Sequence, residues 1–201
     1  MKQQSKKIIS KSNKFNMYMF CFRDSQHPFY EGVYHDAKRR YAVFFDGQIL
    51  FYSRKYYDDD FAGKCVTKDG VEIIYIYPNW FYVVKNNKAT KGYHARKIDF
   101  DTVDRIYKES KTWLNARHPK ASSSDKEKHA LFNIDGNYFT TTKIKNLSIA
   151  MRAFGIEELA IPNDVKARKP ALLTGEDNGV MVLPVVPMDY ENDESYYIVN
   201  L

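Results

Sequence analysis

Five histidines and a run of three aspartates are the residues with which this chain could do acid–base or metal chemistry. The histidines are His27, His35, His94, His118 and His129; the acidic run is Asp58-Asp59-Asp60. No two histidines stand at H-x-x-x-H spacing, which would put two imidazoles on one helix face around a metal. His35 and Asp36 are neighbours and could form a His/Asp site in space, but lone titratable residues of this kind are mostly surface side chains. The aspartate run lacks the glycine and the distal glutamate of a calcium loop, so it reads as a solvated acidic loop. Cys21 and Cys65 lie far apart, which excludes a disulfide framework and a cysteine-based zinc site. Gly47, Gly70, Gly136 and Gly155 read as turn or cap glycines, and no glycine-rich phosphate cradle is present. The expectation is a protein without a catalytic site, metal or cofactor.

Any such residues must be positioned by strands more than by helices. Sixteen Tyr and 13 Phe favour pleated surfaces, on which flat side chains pack well. Strand-like runs are read at 17–22, 32–35, 40–45, 49–52, 71–77, 158–161, 171–174 and 180–186. Asp46-Gly47 is the turn of a tight hairpin. Lys68-Asp69-Gly70 and Glu176–Gly179 are further turns, and Pro78-Asn79 ends a strand. One helix is expected from about Asp101 to Asn115, with Asp101 as N-cap. Val103, Ile106, Tyr107, Ser110 and Leu114 share its apolar face. A second runs from about Thr142 to Phe154 with Ile144, Leu147, Met151 and Phe154 as its stripe and Gly155 as its stop. Pro119 to Lys128, with Ala121-Ser122-Ser123-Ser124, is a polar loop. Many strands with two isolated helices make an α+β chain.

The chain has 201 residues, 44% of them hydrophobic, with a formal charge of +6 and a pI of about 9.1. That balance is compatible with a polyanionic partner. Lys2, Lys6, Lys7, Lys11 and Lys14 crowd one end; Asp189, Glu191, Asp193 and Glu194 crowd the other. No apolar run reaches the roughly 18 residues of a membrane span. Met1 to Lys14 lacks the apolar stretch of a secretory signal. A reduced, cytoplasmic location is expected, with no membrane partner.

Four segments carry a resemblance. Arg23-Asp24-Ser25-Gln26-His27-Pro28-Phe29-Tyr30-Glu31-Gly32-Val33-Tyr34 resembles a D-x-R-x-x-L-x-G-V/M motif. Ala42-Val43-Phe44-Phe45-Asp46-Gly47-Gln48-Ile49-Leu50 is similar to A-T-D-G-H-R-L. Tyr77-Pro78-Asn79-Trp80-Phe81-Tyr82-Val83 looks like F-P-D/N-Y/W-x-x-V, and Gly179-Val180-Met181-Val182-Leu183-Pro184-Val185 like Y-x-V-M-P-M/V-R. Together, and in this order, they resemble the bacterial DNA polymerase III beta subunit, or sliding clamp, family. Phe132 to Phe139 followed by the second helix is similar to the strand-then-helix unit near the clamp C-terminus. The resemblance covers roughly 17–187.

It implies a DNA-clamp-like fold: curved antiparallel sheets with two main helices on the concave side. It divides the chain into a basic arm (1–16), a middle-domain-like part (17–92), a last-domain-like part (93–187) and an acidic tail (188–201). It implies a hydrophobic pocket for peptides of a polymerase or other replication proteins. Carried over, the pocket comprises Tyr30, Phe45, Gly47, Gln48, Ile49 and Leu50 on one wall, Pro78, Tyr82 and Val83 beside it, and Met181, Leu183, Pro184 and Val185 from the last strand. Duplex DNA would meet Arg105, Lys108 and Lys111 on the first helix and Lys143, Lys145 and Arg152 on the second, without reading sequence. The implied protein is a processivity or recruitment factor, of the kind a phage or mobile element carries, and a homo-oligomer.

The chain departs from the family by its shortness, by Phe45 where the motif has threonine, by Gln48-Ile49 where it has His-Arg, and by a tail beyond Val186. That tail could enter its own pocket, pair with a neighbour's sheet edge, or form a loose acidic terminus. Two other readings stand beside the clamp: a clamp-fold binding module without a ring, serving transcription or a host-factor interaction, and a small nuclease using scattered His and Asp.

Overall fold

A computed structural model describes residues 15–87, 92–122, 126–185 and 196–201. The basic arm up to Lys14, the charged stretch Asp189–Glu194 and Ser123-Ser124 lie outside the described residues. The chain forms two α+β units. The first comprises the chain up to Asn86 together with Thr174–Val180; the second comprises Asn87–Leu173 and Met181–Leu201. The reading from sequence set its boundary at 92/93 and kept 93–187 together.

In the first unit, β1 (Gly32–Asp36), β2 (Tyr41–Phe45), β3 (Ile49–Ser53), β4 (Cys65–Thr67) and β5 (Glu72–Ile73) form an antiparallel sheet in the order β5-β4-β1-β2-β3. β2 and β3 are buried almost throughout, which is why they read as continuous apolar runs rather than alternating ones. Their hairpin turns at Asp46-Gly47. The Asp46 carboxylate accepts from the amides of Gln48 (2.9 Å) and Ile49 (2.7 Å), and Gly47 takes the positive φ of 83° that a side chain would resist. Thr174–Val180 joins this unit through its hairpin tip. Ser53 Oγ donates to Asn178 Oδ1 (2.6 Å), the Arg54 amide to the Asp177 carbonyl (2.8 Å), and the Tyr41 hydroxyl to the Glu176 carbonyl.

Three local expectations change here. Met17–Phe20 is a 3-10 turn, not a strand. Its buried residues are Met17 and Phe20, three apart, while Met19 is exposed; a strand would have put Met17 and Met19 on one side. Of the run 71–77 only Glu72–Ile73 pairs, because β4 supplies just three residues to pair with. A helix not expected from sequence, α1 (Trp80–Asn86), follows directly. Asn79 caps it, its Oδ1 accepting from the Tyr82 amide (3.2 Å), and Trp80 and Val84 are buried one turn apart.

In the second unit, β6 (Tyr93–Lys97) pairs antiparallel with β9 (Glu158–Pro162), and β9 with β10 (Ala171–Thr174); β11 (Asn178–Val182) follows in the chain. A smaller sheet runs β12 (Tyr197–Asn200), β7 (Ala130–Ile134), β8 (Asn137–Thr140). Two helices pack together, α2 (Phe100–Arg117) and α3 (Thr141–Phe154). The α2 cap is Asp99 rather than Asp101: the Asp99 carboxylate accepts from the amides of Asp101 and Thr102, which places Asp101 inside the first turn. Val103, Ile106, Ser110 and Leu114 form its buried face, with Tyr107 at the margin. Ser110 and Thr141 share a buried hydroxyl contact of 3.1 Å. Thr140 caps α3, and Gly155 ends it in the left-handed region at φ 70°, as its place after the apolar stripe implies.

Candidate binding surfaces

The first surface is aromatic and lies within the first unit. The Asp24 carboxylate accepts from the amides of Gln26 (2.8 Å) and His27 (2.9 Å), making a tight turn. The His27 amide bond and charge hold the Asp24 carboxyl below the usual range. Pro28 then opens a 3-10 turn that delivers Phe29 and Tyr30. The Tyr30 ring stacks on His27 at 4.9 Å and lies 5.4 Å from Phe22. Its hydroxyl sits over the hairpin: a Cβ built on Gly47 would stand 2.8 Å from it. Phe29 is buried beneath and meets Tyr75 and Tyr77, and Tyr77 stacks on Tyr34. Phe22 and Tyr75 keep nearly half of their surface in solvent.

The expected pocket residues divide. Tyr30 and Gly47, taken from two separate motifs, meet as described. Phe45 is half-buried and Gln48 exposed beside them. Ile49 and Leu50 are 1% exposed; they are core residues of β3 and present no side-chain surface to a ligand. Pro78 and Val83 are half-buried, and Tyr82 on α1 is exposed. In the second unit Met181 is buried, Leu183 is exposed, and Pro184 and Val185 are half-buried, with the Val185 amide bonded to the Tyr138 carbonyl at 2.8 Å. Phe22, His27, Phe29, Tyr75 and Tyr77 were not foreseen as a cluster. The signal was present in the alternation Ile74-Tyr75-Ile76-Tyr77: the tyrosines turn inward to Phe29, while Ile74 and Ile76 are almost wholly exposed.

The second surface is the α2–α3 pair. Three of its six candidate DNA-binding cations are held by carboxylates. Lys145 Nζ lies 2.5 Å from Asp104, Arg152 reaches Asp104 and Asp101 at 3.2 Å, and Arg105 pairs with Glu109 at 3.1 Å along α2. Burial would raise the Asp104 carboxyl, but the Lys145 hydrogen bond and the two cationic charges outweigh it and hold the carboxyl low. Lys108 and Lys111 are exposed on α2, with Lys111 over the Tyr107 ring at 5.0 Å. Among the described residues no carboxylate lies within ion-pair distance of these two. Lys143 is half-buried in the first turn of α3.

The histidines have structural occupations. His35 is buried; its Nδ1 accepts from the Asp58 amide at 3.1 Å, so its proton sits on Nε2, 3.2 Å from the Tyr18 hydroxyl. Burial lowers its pKa to about 4, so the ring is neutral. Asp36 beside it is also buried and receives the Trp80 indole N–H (2.9 Å) and Arg39 through both amide (3.0 Å) and guanidinium (3.2 Å). The neighbours in sequence therefore serve different partners. His94 contacts Asp135 through Nε2 (2.9 Å) and Asn163 Oδ1 through Nδ1 (2.6 Å). These hydrogen bonds, Asp135's first, raise its pKa. Both ring nitrogens are thus engaged by side chains of the protein. His118 and His129 stack at 4.4 Å next to Trp113 and Tyr196. Asp58 caps a 3-10 turn through its own carboxylate, as the head of a local loop. Burial pushes the Cys65 thiol up to about 12 and that of Cys21 upward too, so neither is poised as a thiolate. Among the described residues no group of three His, Cys, Asp or Glu side chains could hold a metal ion, and no helix is long and apolar enough to cross a membrane. Compared with protein-family models and with curated proteins, the chain matches none of them.

Proposed function

We propose that this protein is a sliding-clamp-like, non-catalytic binding protein of DNA replication, which captures short apolar peptides of a polymerase or other replication partners and lies against duplex DNA without reading its sequence. The observation that carries the reading is the meeting of Tyr30 with the Gly47 turn. Two segments read as clamp motifs converge there, and they do so beside exposed aromatic rings. A shallow apolar surface with a few polar groups is what an extended Leu/Phe-bearing peptide needs, and tyrosine is a favoured anchor in such contacts. Phe45, Gln48, Pro78, Tyr82 and Val83, all of the same unit, complete the proposed peptide-binding set.

The test is fluorescence anisotropy with a labelled extended peptide carrying a Leu and a Phe. The parent chain binds it, and Tyr30→Ala weakens binding at least about tenfold, or roughly 1.4 kcal/mol. Equal affinity for the two chains, or no binding by the parent, rejects the pocket.

The carboxylate pairing of Lys145, Arg152 and Arg105 favours a second reading, a clamp-fold binding module that takes peptides but grips DNA weakly. Both readings predict peptide capture, and they part on retention by duplex DNA.

A further inference from the structure

We propose that the outer side of β7 is a strand-accepting edge, that the chain's own Tyr196–Leu201 is its displaceable occupant, and that the same segment of a second copy can take its place. β12 runs parallel to β7 in the register Tyr197↔Ala130 to Asn200↔Asn133. Without it, β7 would present a bare row of amides and carbonyls next to a buried core, since Ala130, Leu131, Phe132 and Ile134 are all 1% exposed or less.

The occupant differs from the strands it joins. β8 is buried along its whole length, whereas Tyr197, Ile198 and Val199 are only half-buried and Asn200 is exposed. Its hold comes from main-chain bonds and a few anchors, the pattern of an added strand rather than of a core strand. The Tyr197 amide donates to the His129 carbonyl at 2.7 Å, and the Leu201 amide to the Asn133 carbonyl at 3.0 Å. Asn133 Nδ2 donates to Asn200 Oδ1 at 2.9 Å, and Arg96 Nη2 to the main-chain oxygen of Leu201 at 2.7 Å. At the other end the Tyr197 ring lies 5.8 Å from Trp113 and its hydroxyl 3.3 Å from Glu109, while the Tyr196 ring packs on His129 at 5.0 Å. These contacts define the ligand: one aromatic residue on His129 and the next beside α2, two β-branched residues on the ladder, and an Asn-Leu pair held by Asn133 and Arg96.

A tethered copy competes at an effective concentration on the order of millimolar. A fluorescent peptide of Tyr196–Leu201 sequence is therefore titrated into the intact chain and into Val199→Pro, whose missing amide and fixed φ weaken the cis ladder while β7 stays unchanged. The variant binds the peptide at least about tenfold tighter than the intact chain. Equal affinity in a folded variant overturns the proposal. Should Val199→Pro fail to fold, a protease site placed within 186–195 of the full chain is cut instead. The labelled peptide then replaces the released native segment, as read by mass spectrometry. Failure to exchange against a large excess of peptide overturns the proposal, as does equal uptake of a scrambled peptide. The outcome does not depend on Tyr30 or on DNA, so it stands or falls apart from the proposed clamp-like function.

Discussion

At the scale of single residues, His35 shows how burial converts a reactive side chain into a structural one. Nothing about a histidine beside an aspartate distinguishes a proton-transfer pair from two unrelated structural groups. In the folded chain the Nδ1 lone pair is used by the Asp58 amide, and Asp36 is turned toward Trp80 and Arg39. Protonating His35 at Nδ1 would break the Asp58 bond and place a charge in the core. The pH dependence follows from its lowered pKa. The folded value is about 4 against 6.5 for the free side chain, so the unfolded chain binds the extra proton first as pH falls. The contribution to stability is complete above about pH 6.5, declines below it and is gone near pH 4, a loss of roughly 3 kcal/mol. Urea midpoints measured from pH 7 to pH 4 should fall more steeply for the parent than for His35→Gln. Parallel curves would remove His35 as the source.

At the scale of elements, α2 and α3 were legible as helices and illegible as an electrostatic surface. Helical periodicity located Val103, Ile106, Leu114, Ile144, Leu147 and Met151, all of them buried. The same periodicity placed six cations off the apolar faces but could not show that Asp104 would meet Lys145 and Arg152 on the neighbouring helix. That pairing depends on how two helices pack, which is not a property of either one. It also supplies a test of the proposed DNA contact. Asp104→Asn removes the shared anion, so Lys145 becomes available to phosphates while Arg152 keeps Asp101. Retention on duplex DNA should then strengthen, and its salt dependence steepen by about one phosphate contact. Unchanged affinity at low salt would leave DNA out of the function of this helix pair. The short helix α1 escaped notice for a related reason. Seven residues give too little periodicity to see, and its stability rests on Trp80 reaching Asp36 in β1.

At the scale of the whole molecule, the chain passes between its two units at 86/87, 173/174 and 180/181. The hairpin tip Thr174–Val180 belongs with β3, more than a hundred residues earlier. A ring-forming clamp must be an oligomer, whereas a binding module need not be. Light scattering coupled to size exclusion at micromolar concentration should give a multiple of 23.6 kDa if the ring belongs to the function. A strict monomer would exclude self-assembly into a ring and leave the peptide-binding reading in place.

Local chemistry was written in the chain and could be read there. The Asp46-Gly47 hairpin, the Gly155 stop, the two long helices and the α+β class follow from turn propensity, capping and hydrophobic period, each acting within a few residues. The actual partners of the histidines and aspartates were not visible in the sequence. Whether Ile49 and Leu50 line a surface or fill a core, whether Lys145 faces a phosphate or Asp104, and whether the last six residues hang loose or complete a sheet are decided by contacts between residues far apart in sequence. Such contacts depend on packing, register and the competition of side chains for the same partner, and only the tertiary structure sets these.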